Sequence, residues 1–147
     1  MSWVRVWLHI VFTTKNREPI LSSHIRKNIF QHIKENAAQK DIWIDSINRY
    51  KEHVHCLLSL NKDQPISKVI KLIKGESSFW VNKNNLTKTK FTWQDDYWVV
   101  SVSESHLKSV REYIHNQEEH HRYKPFSEEI DEFMKKYGWS YTQKQGG

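Results

Sequence analysis

Apolar residues alternate along four short stretches and recur at helical spacing along two long ones, in the order β-α-β-β-α-β. That order predicts an α+β fold: a ferredoxin-like split βαβ sandwich, with an antiparallel four-stranded sheet and helices on one face. Further helical patterns follow at the C-terminal end. The length agrees, since 147 residues make one domain with a real core rather than two independent ones. The domain is expected over residues 1–140, and residues 141–147 read as a disordered tail with nothing to bury.

The first strand is read from Val4, Val6, Leu8, Ile10 and Phe12, which alternate with Trp3, Arg5, Trp7, His9 and Val11. It has one aliphatic face and one mixed aromatic and polar face. A polar loop covers residues 14–19, and Ser22 or Ser23 suits the cap of a first helix. Ile25, Ile29, Ile33 and Ala37 form that helix's stripe. Ile42, Ile44 and Ile47 begin a second strand, residues 48–52 read as a turn, and residues 53–60 read as the third strand. Asp63 and Pro65 open a second helix, continued by Ile66, Val69, Ile70, Ile73, Ser77 and Trp80. After a basic polar loop at 82–90, the fourth strand is placed at Trp98 to Val102. Ser103 or Ser105 then starts a helix with Leu107, Val110 and Ile114 as its stripe. Pro125 separates it from a last short helix, capped by Ser127, with Glu128 and Glu129 in its first turn and Lys135 and Lys136 in its last.

A hydrophobic share of 37% with 27% charged residues describes a globular chain and excludes a disordered one. The net charge of +6 favours a polyanionic partner such as nucleic acid, although many basic proteins are simply basic. One cysteine, Cys56, excludes an internal disulfide and fits a reducing cytoplasm, which is the expected location. The N-terminal MSWVRVWLHIVF lacks the pattern of a signal peptide. No run approaches the roughly 18 apolar residues of a membrane span, so no membrane partner is expected. With four glycines, two of them terminal, there is no phosphate-cradling loop.

The third strand opens with two histidines in KEHVHCLLSL. Residues two apart on a strand point the same way, so His53 and His55 project together while Val54, Cys56, Leu58 and Leu60 face the core. Both imidazoles can therefore approach one ion, and Cys56 cannot join them. The alternative is a pair of histidines in ordinary hydrogen-bonded contacts. On the following helix, Tyr113 and Gln117 are an i, i+4 pair on one face. A phenol and an amide oxygen presented together suit chemistry on a phosphodiester, and equally Tyr113 could be an aromatic at the core's edge beside Val110 and Ile114.

Taken together, H-V-H at 53–55, F-T-W-Q-D-D-Y followed by V-V-S-V-S, and Y-I-H-N-Q at 113–117 resemble the single-tyrosine HUH transposases of small bacterial insertion sequences. The resemblance runs from about Val6 to about Trp139. It implies a nucleophilic Tyr113 that forms a 5′-phosphotyrosine with single-stranded DNA and leaves a free 3′-hydroxyl. It also implies that His53, His55 and Gln117 bind a divalent ion, Mg²⁺ or Mn²⁺. Imidazole ligands would sit more easily with Mn²⁺ or Zn²⁺. The implied partners are DNA with a hairpin at the element ends and a second copy of the chain, in a homodimer with composite active sites. One departure is that Asp96, Trp98 and Val99 stand around Tyr97 where relatives tend to carry glycine and small residues.

Lys68, Lys71 and Lys74 on the second helix and Lys83, Lys88 and Lys90 after it are candidate DNA contacts, or else a solvated basic face. Arg5, Trp7 and His9 share the histidine-bearing sheet face, where they could stack on nucleotides or pack under the tyrosine helix. His115, His120 and His121 read as surface or structural residues. Two other readings stand beside transposition. One is a domesticated REP-associated tyrosine transposase acting on genomic palindromes. The other is a non-catalytic nucleic-acid-binding domain, which leaves the co-occurrence of the histidine pair, Tyr113 and Gln117 unexplained.

Overall fold

The computed structural model describes residues 1–15, 23–50 and 53–116. Its elements are β1 (Trp7–Thr14), α1 (Ser23–Gln39), β2 (Trp43–Tyr50), β3 (His53–Ser59), α2 (Ile66–Lys83), β4 (Trp93–Val102) and α3 (Leu107–His115). A 3-10 turn at Glu104–His106 leads into α3. The strands form one sheet in the order β2-β3-β1-β4, every neighbouring pair antiparallel. The predicted α+β, ferredoxin-like architecture is the one observed.

Period-two alternation sorts the central strands onto two faces. Leu8, Ile10 and Phe12 of β1 and Val54, Cys56 and Leu58 of β3 turn to one side. There they meet Ile29, Ile33 and Ala37 of α1 and Val69, Ile70, Ile73 and Val81 of α2. Each fully buried aliphatic side chain in this layer stabilises the fold by about 1.5–3 kcal/mol. The opposite face carries a smaller cluster, Leu57 and Val102 with Val110 and Ile114 of α3, so α3 covers the side that α1 and α2 leave open. Helix α1 ends before Asp41, whose φ of 60° is a left-handed position that aspartate tolerates, and the Ile42 amide donates to the Ala37 carbonyl. No helix of the described residues is long and apolar enough to cross a membrane.

Strand boundaries differ from the pattern-based expectation for identifiable reasons. Strand β1 starts at Trp7 rather than Val4, and Val4 and Val6 are exposed. At its other end it continues through Thr13 and Thr14, both buried. Residues 48–50, expected in a turn, belong to β2, because Asn48, Arg49 and Tyr50 pair with His55, Val54 and His53. Strand β4 begins at Trp93, five residues before the expected start. A register shift between Phe12 and Thr14 lets Trp93 pair with Thr14. The Trp93 ring then packs edge-on against Phe12 and Phe91, and its Nε1 donates to Ser77 Oγ at 2.8 Å. The predicted last helix with Ser127, Glu128, Glu129, Lys135 and Lys136, and the tail 141–147, lie outside the described residues.

Candidate active site

His53 and His55 are both fully buried on the face that α3 covers, opposite Cys56. Their ring centroids are 5.3 Å apart with the rings edge to face. Burial pushes the Cys56 thiol up to about 12, in keeping with its place in the aliphatic layer. A third imidazole joins the pair from β1. In the β1–β3 register Val11 lies opposite His55 and His9 opposite Leu57, so His9 is a diagonal neighbour of His55 on the same face. His9 Nε2 and His55 Nδ1 share a hydrogen bond of 3.0 Å, and His9 is as fully buried as the other two.

Helix α3 brings Tyr113 to this cluster. Val110 and Ile114, one turn apart, are buried against Leu57 and Val102, with Leu107 and Trp7 at the edge. Tyr113 is half-buried between that stripe and the solvent side. Its ring lies 5.6 Å from His55 and 6.0 Å from His9, edge-on to both. Two polar ties hold the helix to β2. Asn48 Nδ2 donates to the carbonyls of Ile114 (3.0 Å) and His115 (3.2 Å) at the end of α3. Arg111 makes a two-point pair with Asp45, Nε to Oδ1 at 2.8 Å and the second nitrogen to Oδ2 at 3.0 Å. The Arg111 hydrogen bond holds the Asp45 carboxyl below the usual carboxylate range, and the pair raises the guanidinium in return. The position of Asn48 and Asp45 beneath α3 was not visible in the sequence, because it depends on the β2–β3 register.

The remaining candidate residues fall into separate groups. Gln117 lies outside the described residues, as do His120 and His121. His9, expected among the DNA-facing residues, presents no surface to a nucleotide because it is buried. Trp7 packs at the edge of the α3 cluster and its Nε1 donates to Glu104 Oε1 at 3.4 Å. Arg5 is exposed and pairs with the same carboxylate, 3.2 Å away. Lys74 is half-buried. Its ammonium donates to the carbonyls of Gln94, Asp95 (3.1 Å) and Asp96 (3.5 Å), and burial lowers it from the usual lysine range. Lys74 is thereby tied to the start of β4, whereas Lys68, Lys71, Lys83, Lys88 and Lys90 are exposed. His115 is exposed at the end of α3.

The donor set tolerates a divalent cation. A cation about 2.1 Å from a ring nitrogen lies roughly 3.3 Å from the ring centre, which puts two ligating imidazoles about 4.6–5.4 Å apart for right to tetrahedral angles. The 5.3 Å between His53 and His55 falls in that range. No group of three or more His, Cys, Asp or Glu side chains among the described residues is arranged to hold a metal, so any further ligand would be of another type or from elsewhere in the chain. Mn²⁺ suits imidazole better than Mg²⁺ does.

The chain is similar to known transposases. Residues 2–117 match the family described as "Transposase IS200 like". The ISDra2 transposase TnpA of Deinococcus radiodurans is 25% identical over 114 residues, spanning 74% of this chain and 81% of that protein. The crystal structure of a candidate transposase from Deinococcus radiodurans R1 superposes with a TM-score of 0.64 at 22% identity, covering 79% of this chain and 93% of the other. A REP-associated tyrosine transposase, solved bound to a REP hairpin, gives a TM-score of 0.62 at 17% identity, over 82% of this chain and 72% of the other. At these identities the two structures speak for the fold.

Proposed function

Because this chain belongs to the IS200-like transposase family, we propose that it cleaves and rejoins single-stranded DNA at insertion-sequence ends through a 5′-phosphotyrosine intermediate. The observation that carries this reading is the Tyr113 ring lying 5.6 Å from one member of a buried histidine pair. The Tyr113 phenol oxygen bonds to phosphorus as the bond from phosphorus to the 3′-oxygen breaks. The phenol proton is released, and the departing oxygen takes one up to become the 3′-hydroxyl. Rejoining reverses the step with a different 3′-hydroxyl and needs no ATP, since the phosphotyrosine conserves the bond. An ordinary phenol, with a pKa near 10, is a poor nucleophile at neutral pH and needs help. A divalent cation, Mg²⁺ or Mn²⁺, held by His53 and His55 and, as the resemblance implies, by Gln117, would neutralise a phosphate oxygen and stabilise the charge that develops.

The DNA is proposed to carry a hairpin at the element ends, held in part by the exposed lysines 68, 71, 83, 88 and 90. A homodimer with composite active sites is part of the proposal; the nearness of Tyr113 to the histidines of its own chain sets sites within one subunit beside it as the other arrangement. The same chemistry on genomic palindromes is the second reading, favoured by the likeness to the hairpin-bound REP-associated transposase. Insertion-sequence ends flanking the gene would decide for transposition.

The test incubates the protein with single-stranded DNA from its own flanks and Mn²⁺. A covalent protein–DNA adduct is expected, absent in Tyr113→Phe and strongly reduced in His53→Ala and His55→Ala. An undiminished adduct in Tyr113→Phe sinks the nucleophile assignment. Mixing Tyr113→Phe with His55→Ala subunits separates the two arrangements: no recovered adduct supports one-subunit sites, and recovery shows exchanged helices.

A further inference from the structure

The geometry points to His9 as a positioning residue that holds His55 in the one tautomer able to bind a cation. This rests on the cation-assisted reading above and goes beyond it, because His9 itself reaches neither the DNA nor the ion.

The argument starts from the 3.0 Å between His9 Nε2 and His55 Nδ1, both on fully buried rings. A neutral imidazole has one nitrogen that donates and one that accepts, so a hydrogen bond between two rings contains a single proton and has two possible directions. If His9 donates, the proton of His55 sits on Nε2. That nitrogen can then give a hydrogen bond but has no lone pair for a metal. If His55 donates from Nδ1, its Nε2 keeps the lone pair, and the proton of His9 moves to its own Nδ1. Only the second arrangement makes His55 a ligand.

Packing holds the two rings in this relation. His9 sits on the central strand β1, with its place relative to β3 set by pairing along the whole of both strands. Leu57 lies directly across, and the Tyr113 ring is close by, 6.0 Å from the His9 ring between centroids. The same ring thus borders the ligand it orients and the nucleophile that ligand serves. Partners of this kind typically account for about 10–100-fold in metal affinity.

Two measurements test the inference. Calorimetric titration of the full chain with Mn²⁺ should show binding about 10–100-fold weaker in His9→Leu. In His9→Gln, where an amide oxygen can accept from His55, most of the affinity should return. His55→Ala should abolish binding. The second measurement needs no variant: two-bond ¹H–¹⁵N correlation spectra of the metal-free wild-type chain, above neutral pH, should show His55 protonated on Nδ1 and His9 also on Nδ1. Wild-type affinity in a folded His9→Leu overturns the inference and leaves the cation reading intact, provided His55→Ala still abolishes binding. An Nε2-protonated His55 overturns it even where His9→Leu does not fold. A wild-type chain that takes up no Mn²⁺ removes the cation reading and this inference with it.

Discussion

Truncating Ile114 to alanine should detach chemistry from folding. Ile114 is fully buried, but in the small cluster that docks α3 and not in the large layer under α1 and α2. The change removes three buried carbons, about 2.4 kcal/mol at about 0.8 kcal/mol each. An incompletely collapsed cavity brings the loss to about 3 kcal/mol. Among the described residues, four buried ones make up this cluster and eighteen make up the other. The loss should therefore fall mainly on α3 docking and not on the sheet. About 3 kcal/mol shifts the docked-to-undocked ratio by roughly 150-fold. Tyr113, one residue before Ile114, is then seldom against His55. Single-turnover adduct formation per folded molecule should fall by up to that factor, with faster amide exchange confined to α3. Ile29→Ala is the control, equally buried but in the main layer. It should lower the urea midpoint by a comparable amount and leave the adduct rate of the folded fraction unchanged. A folded Ile114→Ala that forms adduct at the wild-type rate refutes the idea that packing of α3 on its own sheet positions Tyr113.

The Asp45–Arg111 pair makes stability depend on pH in one direction. The folded carboxyl titrates below its ordinary value of 3.8, so its contribution is complete above that value and is lost as pH falls through the lower folded one. With Arg111 39% exposed the pair is worth about 0.5–1 kcal/mol at neutral pH. The urea-midpoint gap between wild type and Asp45→Asn should close on acidification below pH 3.8, and a constant gap would exclude the pair as its cause. Among the lysines, Lys74→Met should cost about 1 kcal/mol in thermal or urea unfolding through lost charge-assisted bonds to the β4 entry. Lys68→Met and Lys71→Met should leave stability unchanged but lower the salt dependence of DNA binding by about one counterion each if they meet phosphate. Cys56, buried and with its thiol raised to about 12, should resist a thiol reagent at pH 8 in the native state and react in urea. Rapid labelling of the native chain would contradict its place in the core.

Much of this protein was legible along the chain because it depends on local repetition. Period-two alternation separated His53 and His55 from Val54 and Cys56, and the structure buries them on opposite faces. The spacing of Ile29, Ile33 and Ala37, and of Val69, Ile70 and Ile73, marked the helix stripes now found in the core. The stripe Leu107, Val110 and Ile114 fitted the helix that packs on the second face. Where local signals were mixed, the reading fell short. Gln94, Asp95 and Asp96 interrupt the alternation at the start of β4, and that stretch is a strand because it pairs with β1 across a register shift and receives Lys74 from α2.

The sequence by itself determined the order of elements, the face of each strand and the residue types available for phosphodiester chemistry, since each follows from side-chain period and identity within a few neighbouring positions. Only tertiary structure decided which of those residues meet. Strand register brings His9 to within hydrogen-bonding distance of a histidine 46 positions away, and puts Asp45 and Asn48 under α3. Docking of α2 ties Lys74, one of the candidate DNA contacts, to the start of β4. The reason is physical: register and docking are set by the burial of whole faces and the satisfaction of distant backbone groups, and no short window of sequence contains both partners.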